Sequence, residues 1–414
     1  MITSPVGSRS LSRNFRGLLL VAFGALALVA TAFAAEAAPA PQTVMVNYSD
    51  IEGTVRSNNQ TIRANDKTLD ALDNNDAAEQ KISALNASAA NLQNLSKQLQ
   101  QADAAAKAQG KDAAIDASLQ GSIAALNAAA SILSSESDQL GTDPDTVDKT
   151  EFQMNGAADQ IVVAAQKLFV TWHALDLQRT VLTQKQQVAA DTVKAAGAKA
   201  AAGLITQTDL LNIRQQQTSA SDQLATLVSQ MKTVKDSFRV LMGYSDDYDL
   251  TIAAMPQANT AEIAKMNDAA DSQTAFDANW TLKEKAKEKE IADDNRDSGL
   301  DSTVDLYHAA ALNYELAKNQ FGAAFRQAYD DVSLKQSLLA SAQSACTVKA
   351  QTLNAVQQQN AVGVASALDL ENAQLDAANA KAALSQAQYD LFSSQEQYRW
   401  ALRGALNLSA SGQS

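Results

Sequence analysis

The 414-residue sequence contains one cysteine, five prolines and two histidines, and aromatic residues make up only 5% of it. Because Cys346 is alone, no disulfide can form within the chain. His173 and His308 are too few and too scattered to suggest a metal site. The scarcity of proline and glycine, with abundant Ala, Gln, Asn, Ser and Asp, favours helix. A large globular core would use more aromatics, so long helices packed through Ala and Leu seams fit the composition better.

Catalytic and phosphate-binding motifs are also missing. The sequence has no paired histidines, no Cys/His set and no Gly-rich loop after a strand, and its carboxylates are scattered at helix-surface spacing. We therefore expect no enzyme, no catalytic residue, no cofactor and no metal. The formal charge of −13 argues against nucleic acid or anionic lipid as the main partner.

Residues 1–37 are predicted to be a secretory signal peptide. Arg9, Arg13 and Arg16 precede an apolar run at 18–33, which is short for a membrane span, and small residues suited to cleavage follow it. An uncleaved N-terminal anchor is the alternative. Cleavage would remove three Arg and one Glu and lower the charge from −13 to −15. No other stretch is predicted to cross a bilayer as a helix, so we expect an exported protein.

An ungapped internal duplication organises the rest of the chain. A long run of helix formers is interrupted by Gly203, and 160 positions later the same happens at Gly363. The same offset keeps further pairs in register: Thr206 with Ser366, Asp209 with Asp369, Leu210 with Leu370, Asn212 with Asn372, Ala220 with Ala380, Leu224 with Leu384 and Phe238 with Tyr398. Chance similarity of Ala/Gln-rich helices does not account for this register.

Each copy predicts the bend of a helical hairpin. Glycine tolerates the left-handed conformation that ends a helix, so Gly203 and Gly363 mark the bends. Thr206 and Ser366 are suited to cap the outgoing helix. The acidic residues three positions later, Asp209 and Asp369, would complete a capping box. Capping and a gating or contact role are both open for these aspartates.

The two repeats differ by about 60 residues. Asn59 corresponds to Asn279 with an offset of 220 rather than 160, so the first repeat contains a surplus between positions 63 and 160. Heptad-like spacing near 80–145 predicts an extra helical hairpin or two stacked helical extensions. We predict a first repeat at 38–250, a connector at 251–274, a second repeat at 275–408 and a tail at 409–414. The charged run at 283–290 is interpreted as a solvated helix face.

Long helices flank both bends. A helix from about Gly156 to Ala202 would span upward of about 60 Å. The helix after the first bend keeps alternating three- and four-residue steps from Leu210 to Leu241, and its copy does so from Leu370 to Ala401. This period predicts left-handed supercoiling. The predicted fold class is therefore all-α, with long antiparallel coiled-coil hairpins in two tandem repeats.

This arrangement resembles the TolC-type outer-membrane efflux family over roughly residues 55–406. The most specific resemblance lies in Ala202-Gly203-Leu204 with Asp209 and in Val362-Gly363-Val364 with Asp369. The resemblance implies an α-helical barrel body and a homotrimer. It also implies that Ala202, Gly203, Leu204, Val362, Gly363 and Val364 contact a periplasmic adaptor. Two departures stand out: neither repeat has a clear β-barrel strand, and the family's gating Tyr and Arg correspond to Asn360 and Ala365.

The function that this implies is an exported conduit component in the periplasm or cell envelope, associated with the outer membrane. It would dock the adaptor of an inner-membrane transporter through the bends, and no nucleic acid would be involved. The alternative is a structural coiled-coil envelope protein that retained the helical body without transport. Substrate, pump and the placement of the surplus stay open.

Overall fold

The computed structural model describes residues 42–72, 78–107, 113–137, 144–406 and 408. The predicted signal peptide, the breaks at 108–112 and 138–143 and the tail at 409–414 lie outside them. The described part of the first repeat contains strand β1 (Gln42–Val46), a 3-10 turn (Tyr48–Asp50), helices α1 (Ile51–Asn58), α2 (Gln60–Leu72), α3 (Ala78–Lys107), α4 (Ala113–Ser137), α5 (Pro144–Ala201) and α6 (Gln207–Leu241), and strand β2 (Tyr248–Ile252).

The second repeat contains counterparts of α1, α2, α5 and α6 but none of the surplus. Its elements are α7 (Thr260–Ile263), α8 (Asp268–Ala278), α9 (Trp280–Asp294), α10 (Asp301–Ala361) and α11 (Ala367–Leu402). Hairpin 1 (α5 and α6) corresponds to hairpin 2 (α10 and α11), with 58 and 35 residues against 61 and 36. Helix α5, the longer helix of hairpin 1, measures about 87 Å. The predicted fold class, all-α with long antiparallel hairpins in two repeats, is confirmed.

Helix α5 begins earlier than expected, at Pro144 rather than about Gly156. Proline is favoured at the first helical position because its missing N–H would have no partner there and its φ is already helical. The earlier start also brings Asp148 and Lys149 beside α9.

A buried asparagine joins the two ends of each repeat. The Oδ1 of Asn59 accepts hydrogen bonds from the backbone N–H groups at the start of α2, and its Nδ2 donates to the Leu241 carbonyl at 2.9 Å. Asn279 likewise accepts from the start of α9 and donates to the Leu406 carbonyl at 3.1 Å. One amide thus caps a helix and binds the end of the return helix. We call this end of the molecule the root.

Two glycines allow the close approach at the root. Gly243 follows α6 with φ +76°, and a Cβ there would lie 2.4 Å from the Asn58 carbonyl oxygen. Gly404 follows α11 with φ +98°, and its Cβ would lie 2.2 Å from the Ala278 carbonyl oxygen. Both positions exclude a side chain through the backbone dihedral and through contact with backbone that has no room to move.

The surplus forms a helical hairpin, α3 and α4, which we call the extra hairpin. Helix α4 packs along α5, and α3 packs against α6 and α2. Leu85, Leu99, Leu126 and Leu133 are fully buried and belong to the same core as α5. The hairpin alternative is therefore the one observed, and the surplus lies beside the root half of hairpin 1.

Strands β1 and β2 pair in parallel, with Gln42 opposite Tyr248 and Val46 opposite Ile252. The sequence did not predict this pairing, and β2 lies across the predicted boundary at residue 250 between the first repeat and the connector. The strands tie the start of the first repeat to the segment that follows α6. In the described residues these are the strands, and no described helix is long and apolar enough to cross a membrane.

The interpretation of 283–290 as a solvated face is wrong in part. The Lys287 side chain is only 11% exposed and pairs with Asp148 at 3.4 Å, while Glu288 pairs with Lys149 at 3.2 Å. These ion pairs join α9 to the beginning of α5. The run therefore contributes to the contact between the two repeats.

The root glycines give a direct stability prediction. Gly404→Ala should lower the free energy of unfolding by at least about 2 kcal/mol, because the new Cβ meets the Ala278 carbonyl at a strained φ. Gly322→Ala is the matched control. It lies in α10 with no atom within 4 Å of its Cβ, so helix propensity should stabilise it by up to about 1 kcal/mol. Urea unfolding followed by circular dichroism measures both, and equal midpoints would contradict the prediction.

Candidate functional site

The first bend, which we call tip 1 (residues 202–206), ends α5 with a Schellman motif. Gly203 has φ +70°, its N–H donates to the Ala200 carbonyl at 3.0 Å, and the Leu204 N–H donates to the Lys199 carbonyl at 2.9 Å. These two bonds satisfy carbonyls that the helix leaves free at its end. The chain then reverses and α6 begins at Gln207.

The second bend, tip 2 (residues 362–366), repeats this geometry. Gly363 has φ +76°, its N–H donates to the Asn360 carbonyl at 3.0 Å, and the Val364 N–H donates to the Gln359 carbonyl at 2.8 Å. Tip 2 has two additional bonds, from the Ala365 N–H to the Gln359 carbonyl at 3.2 Å and from Asn360 Nδ2 to the Ala365 carbonyl at 3.0 Å. Asn360 and Ala365, which depart from the resembled family's gating pair, thus bond to each other across the bend.

A capping box starts each return helix. Thr206 Oγ1 accepts from the Asp209 N–H at 3.1 Å, and the Thr206 N–H donates to Asp209 Oδ2 at 3.0 Å. Ser366 and Asp369 make the same pair at 3.1 and 2.9 Å. Hydrogen bonds from the hydroxyl and the backbone N–H lower the pKa of each aspartate. The ionised carboxylates also interact favourably with the positive ends of the two helices.

The apolar side chains of both tips face solvent. Leu204 is 74% exposed, Val362 75% and Val364 76%, while Ala202 and both glycines are exposed too. A Cβ at Gly203 or Gly363 would have no atom within 4 Å, so these glycines serve the backbone turn alone. Each tip is therefore a small exposed apolar surface whose turn is fixed by backbone hydrogen bonds.

The two hairpins lie side by side along α5 and α11. Toward the tips, a hydrogen bond to Asp191 raises the pKa of Lys194 in α5, and Glu371 of α11 is close enough to add to that shift. Nearer the root, a groove of about 400 Å³ runs between Ala174–Lys185 and Leu375–Gln386. Sequence periodicity predicted each hairpin but gave no signal for this pairing of helices from different repeats.

Hairpin 2 has no buried residue from 333 to 390, which we call its outer half. Its last buried residue before the tip is Val332, and the first after it is Leu391. Six large apolar residues are exposed on α10; Leu306 lies apart from the others, which are Leu312, Leu316, Leu334, Leu338 and Val348. At about 100° per residue, these five side chains fall within an arc of roughly 80°. We call this set the α10 stripe.

Within the described part of the chain, no group of three or more His, Cys, Asp or Glu side chains could hold a metal ion. The sequence matches no protein-family model and no curated protein.

Solved structures similar to this chain include a membrane protein from Pseudomonas aeruginosa (13% identity, TM-score 0.49, covering 86% of this chain and 90% of that one). Another is the outer membrane protein VceC of Vibrio cholerae (18% identity, TM-score 0.44, covering 69% and 77%). A third is the CmeC outer membrane channel of Campylobacter jejuni (10% identity, TM-score 0.43, covering 70% and 69%).

The capping boxes give a local prediction. Ser366→Ala removes the acceptor for the Asp369 N–H in the first turn of α11, so this turn should lose about 1 kcal/mol of local stability. Hydrogen exchange at residues 367–370 should then be several-fold faster, while exchange at the root stays unchanged. Thr218→Ala, an exposed mid-helix position on α6, is the control. Unchanged exchange at 367–370 would show that the Schellman bonds alone fix the tip.

Proposed function

We propose that this chain is an exported, TolC-like α-helical conduit component of an envelope efflux or secretion system. Copies of the chain associate side by side as a homotrimer through the α10 stripe, which extends from Leu312 into the outer half of hairpin 2. The tips dock the adaptor of an inner-membrane transporter. The chain itself performs no chemistry. It shapes an acidic passage that favours cations, and the partner supplies the energy.

The α10 stripe is the observation that carries this proposal. Leu312 is 71% exposed, Leu316 and Leu334 are each 54% exposed and Val348 is 58% exposed, on one side of a helix that also packs against α11. Single exposed leucines are ordinary, but an aligned series over 37 residues indicates an interface. A second copy of the same chain is the proposed partner that covers the stripe, because the outer half of hairpin 2 has no buried residue and gains a core only from a neighbouring chain.

The tips supply the second half of the proposal. Ala202, Gly203, Leu204, Val362, Gly363 and Val364 are the proposed adaptor contacts. Their turns are fixed by backbone hydrogen bonds, so an adaptor would meet a preorganised surface and order little chain on binding. The capping residues Thr206, Asp209, Ser366 and Asp369 hold that surface and place a negative charge beside each set of contacts.

The first experiment measures the solution mass of the mature chain, residues 38–414, by light scattering, with negative-stain images of the same peak. We expect a trimer shaped as a hollow rod. Leu334→Glu combined with Leu338→Glu should yield monomer, because the stripe would then bury charge. Leu300→Glu, equally exposed at 55% but outside the stripe, should leave the trimer intact. A monomeric or solid dimeric wild-type chain would remove the conduit and favour the structural coiled-coil alternative.

Adaptor docking has its own test in the native host. A photo-crosslinking residue in place of Val362 should capture a membrane-fusion-type adaptor, identified by mass spectrometry. Leu204→Asp with Val364→Asp should abolish capture without lowering the melting temperature, since neither side chain is buried. The same crosslinker at Val240, near the root, is the control. Capture that survives both aspartates would exclude the tips as the contact.

A further inference from the structure

A cavity of about 150 Å³ lies between the extra hairpin and the body, far from the tips. Ala125 of α4, Val163 and Val170 of α5 and Leu406 give it apolar walls. Lys167 and Gln166 of α5 bring polar groups to the same space. Because α4 belongs to the surplus of the first repeat, the second repeat has no counterpart of this cavity.

Lys167 has no charge to balance it. No described residue forms an ion pair with its ammonium group, and its one hydrogen-bond contact is the Gly121 carbonyl at 3.5 Å. Burial lowers the pKa of Lys167, and no neighbouring carboxylate raises it. Lys167 is only partly buried, but an ammonium group that loses water without gaining a partner is costly, so such groups in proteins are normally paired.

Gly121 makes room for this lysine. It lies inside α4, where glycine destabilises a helix by about 1 kcal/mol relative to alanine. A Cβ at this position would lie 3.0 Å from Lys167 Nζ and 3.2 Å from its Cδ. The glycine therefore permits α4 to pack over the lysine while its amine stays at the cavity.

The other ionisable groups at the cavity already have partners. Glu396 accepts a hydrogen bond from Arg399 Nη1 at 2.7 Å and another from the Tyr48 hydroxyl. Burial raises the pKa of both Glu396 and Tyr48. Because Arg399 balances the charge of Glu396, the cavity retains one uncompensated positive charge, that of Lys167.

The preceding residue, Gln166, supplies a second hydrogen-bond donor. Gln166 Oε1 accepts from the Trp400 indole N–H at 2.6 Å, which fixes the orientation of its amide. Among the described residues, none accepts a hydrogen bond from Gln166 Nε2. The cavity thus combines a cation, a free amide donor and apolar walls.

The geometry points to a binding site for a small monocarboxylate with a short apolar body. Its carboxylate would bind Lys167 Nζ and Gln166 Nε2, and its apolar body would contact Val163, Val170 and Ala125. Since α4 forms one wall and α5 and α11 the others, the ligand would hold the extra hairpin to the body and stabilise that contact.

Calorimetric titration of the mature chain with hexanoate tests the site, with hexanamide as the uncharged probe of the same size. We expect saturable hexanoate binding that weakens at least tenfold for hexanamide and for the Lys167→Met variant. Lys167→Met removes the desolvated charge, so it should fold with an equal or higher melting temperature. Lys232→Met, at a 78% exposed lysine of α6, should bind as the wild type does.

The Gly121→Ala variant gives a second, independent test of the site. Its methyl group displaces the Lys167 amine, so hexanoate affinity should fall about tenfold while Gly322→Ala leaves it unchanged. Absence of binding by any linear monocarboxylate from butanoate to octanoate would overturn the proposal. So would hexanoate affinity that is equal in the wild type and Lys167→Met.

Discussion

The direction of both hairpins depends on one type of interaction, the buried asparagine at the root. Asn59 and Asn279 each cap the helix that follows them. Asn59 donates to the carbonyl of Leu241, the last residue of α6, and Asn279 donates to the Leu406 carbonyl just beyond α11. An arm of about 87 Å amplifies any error made there, because a rotation of about 5° at the root moves a tip by roughly 8 Å. That rotation is restricted because the oxygen and the nitrogen of the side-chain amide are both hydrogen-bonded, and because the neighbouring glycine lets the backbones pack closely.

The root interaction is repeated, but its surroundings are not. Hairpin 1 carries the extra hairpin, the β1–β2 pair and the Lys167 cavity, whereas hairpin 2 has an outer half without buried residues. Tip 2 in turn has the Asn360 bond that tip 1 lacks, since Ala200 occupies the corresponding position. Duplication thus supplied two equivalent arms, and later differences are concentrated where an arm meets something else.

How much could be predicted from the sequence depends on how far apart the interacting residues lie along the chain. Gly203, Gly363 and the two capping boxes interact within six residues, so local rules identified the turns. Asn59 and Asn279 were recognised as a matched pair, but their partners lie 182 and 127 residues away, beyond any local signal. The β1–β2 pair spans two short segments that lie some 200 residues apart. From the sequence alone, Lys167 is an ordinary helix cation, because only the fold shows that α4 packs over it. The prediction that Lys287 lies on a solvated face was wrong for the same reason.

Burial is distributed unevenly along each arm, and this bears on function. The root contains the fully buried aromatics Phe169, Phe238, Phe325 and Tyr398, while the outer half of hairpin 2 buries none of its side chains in the single chain. Two helices paired alone in water gain little from propensity, so most of their stability must come from packing. The root therefore has a core within the single chain, whereas in the proposed trimer the outer half of hairpin 2 would become rigid when neighbouring copies cover the α10 stripe. Assembly would then be what fixes the positions of the tips, and a partner that recognises several tips at once would select the assembled form over the single chain.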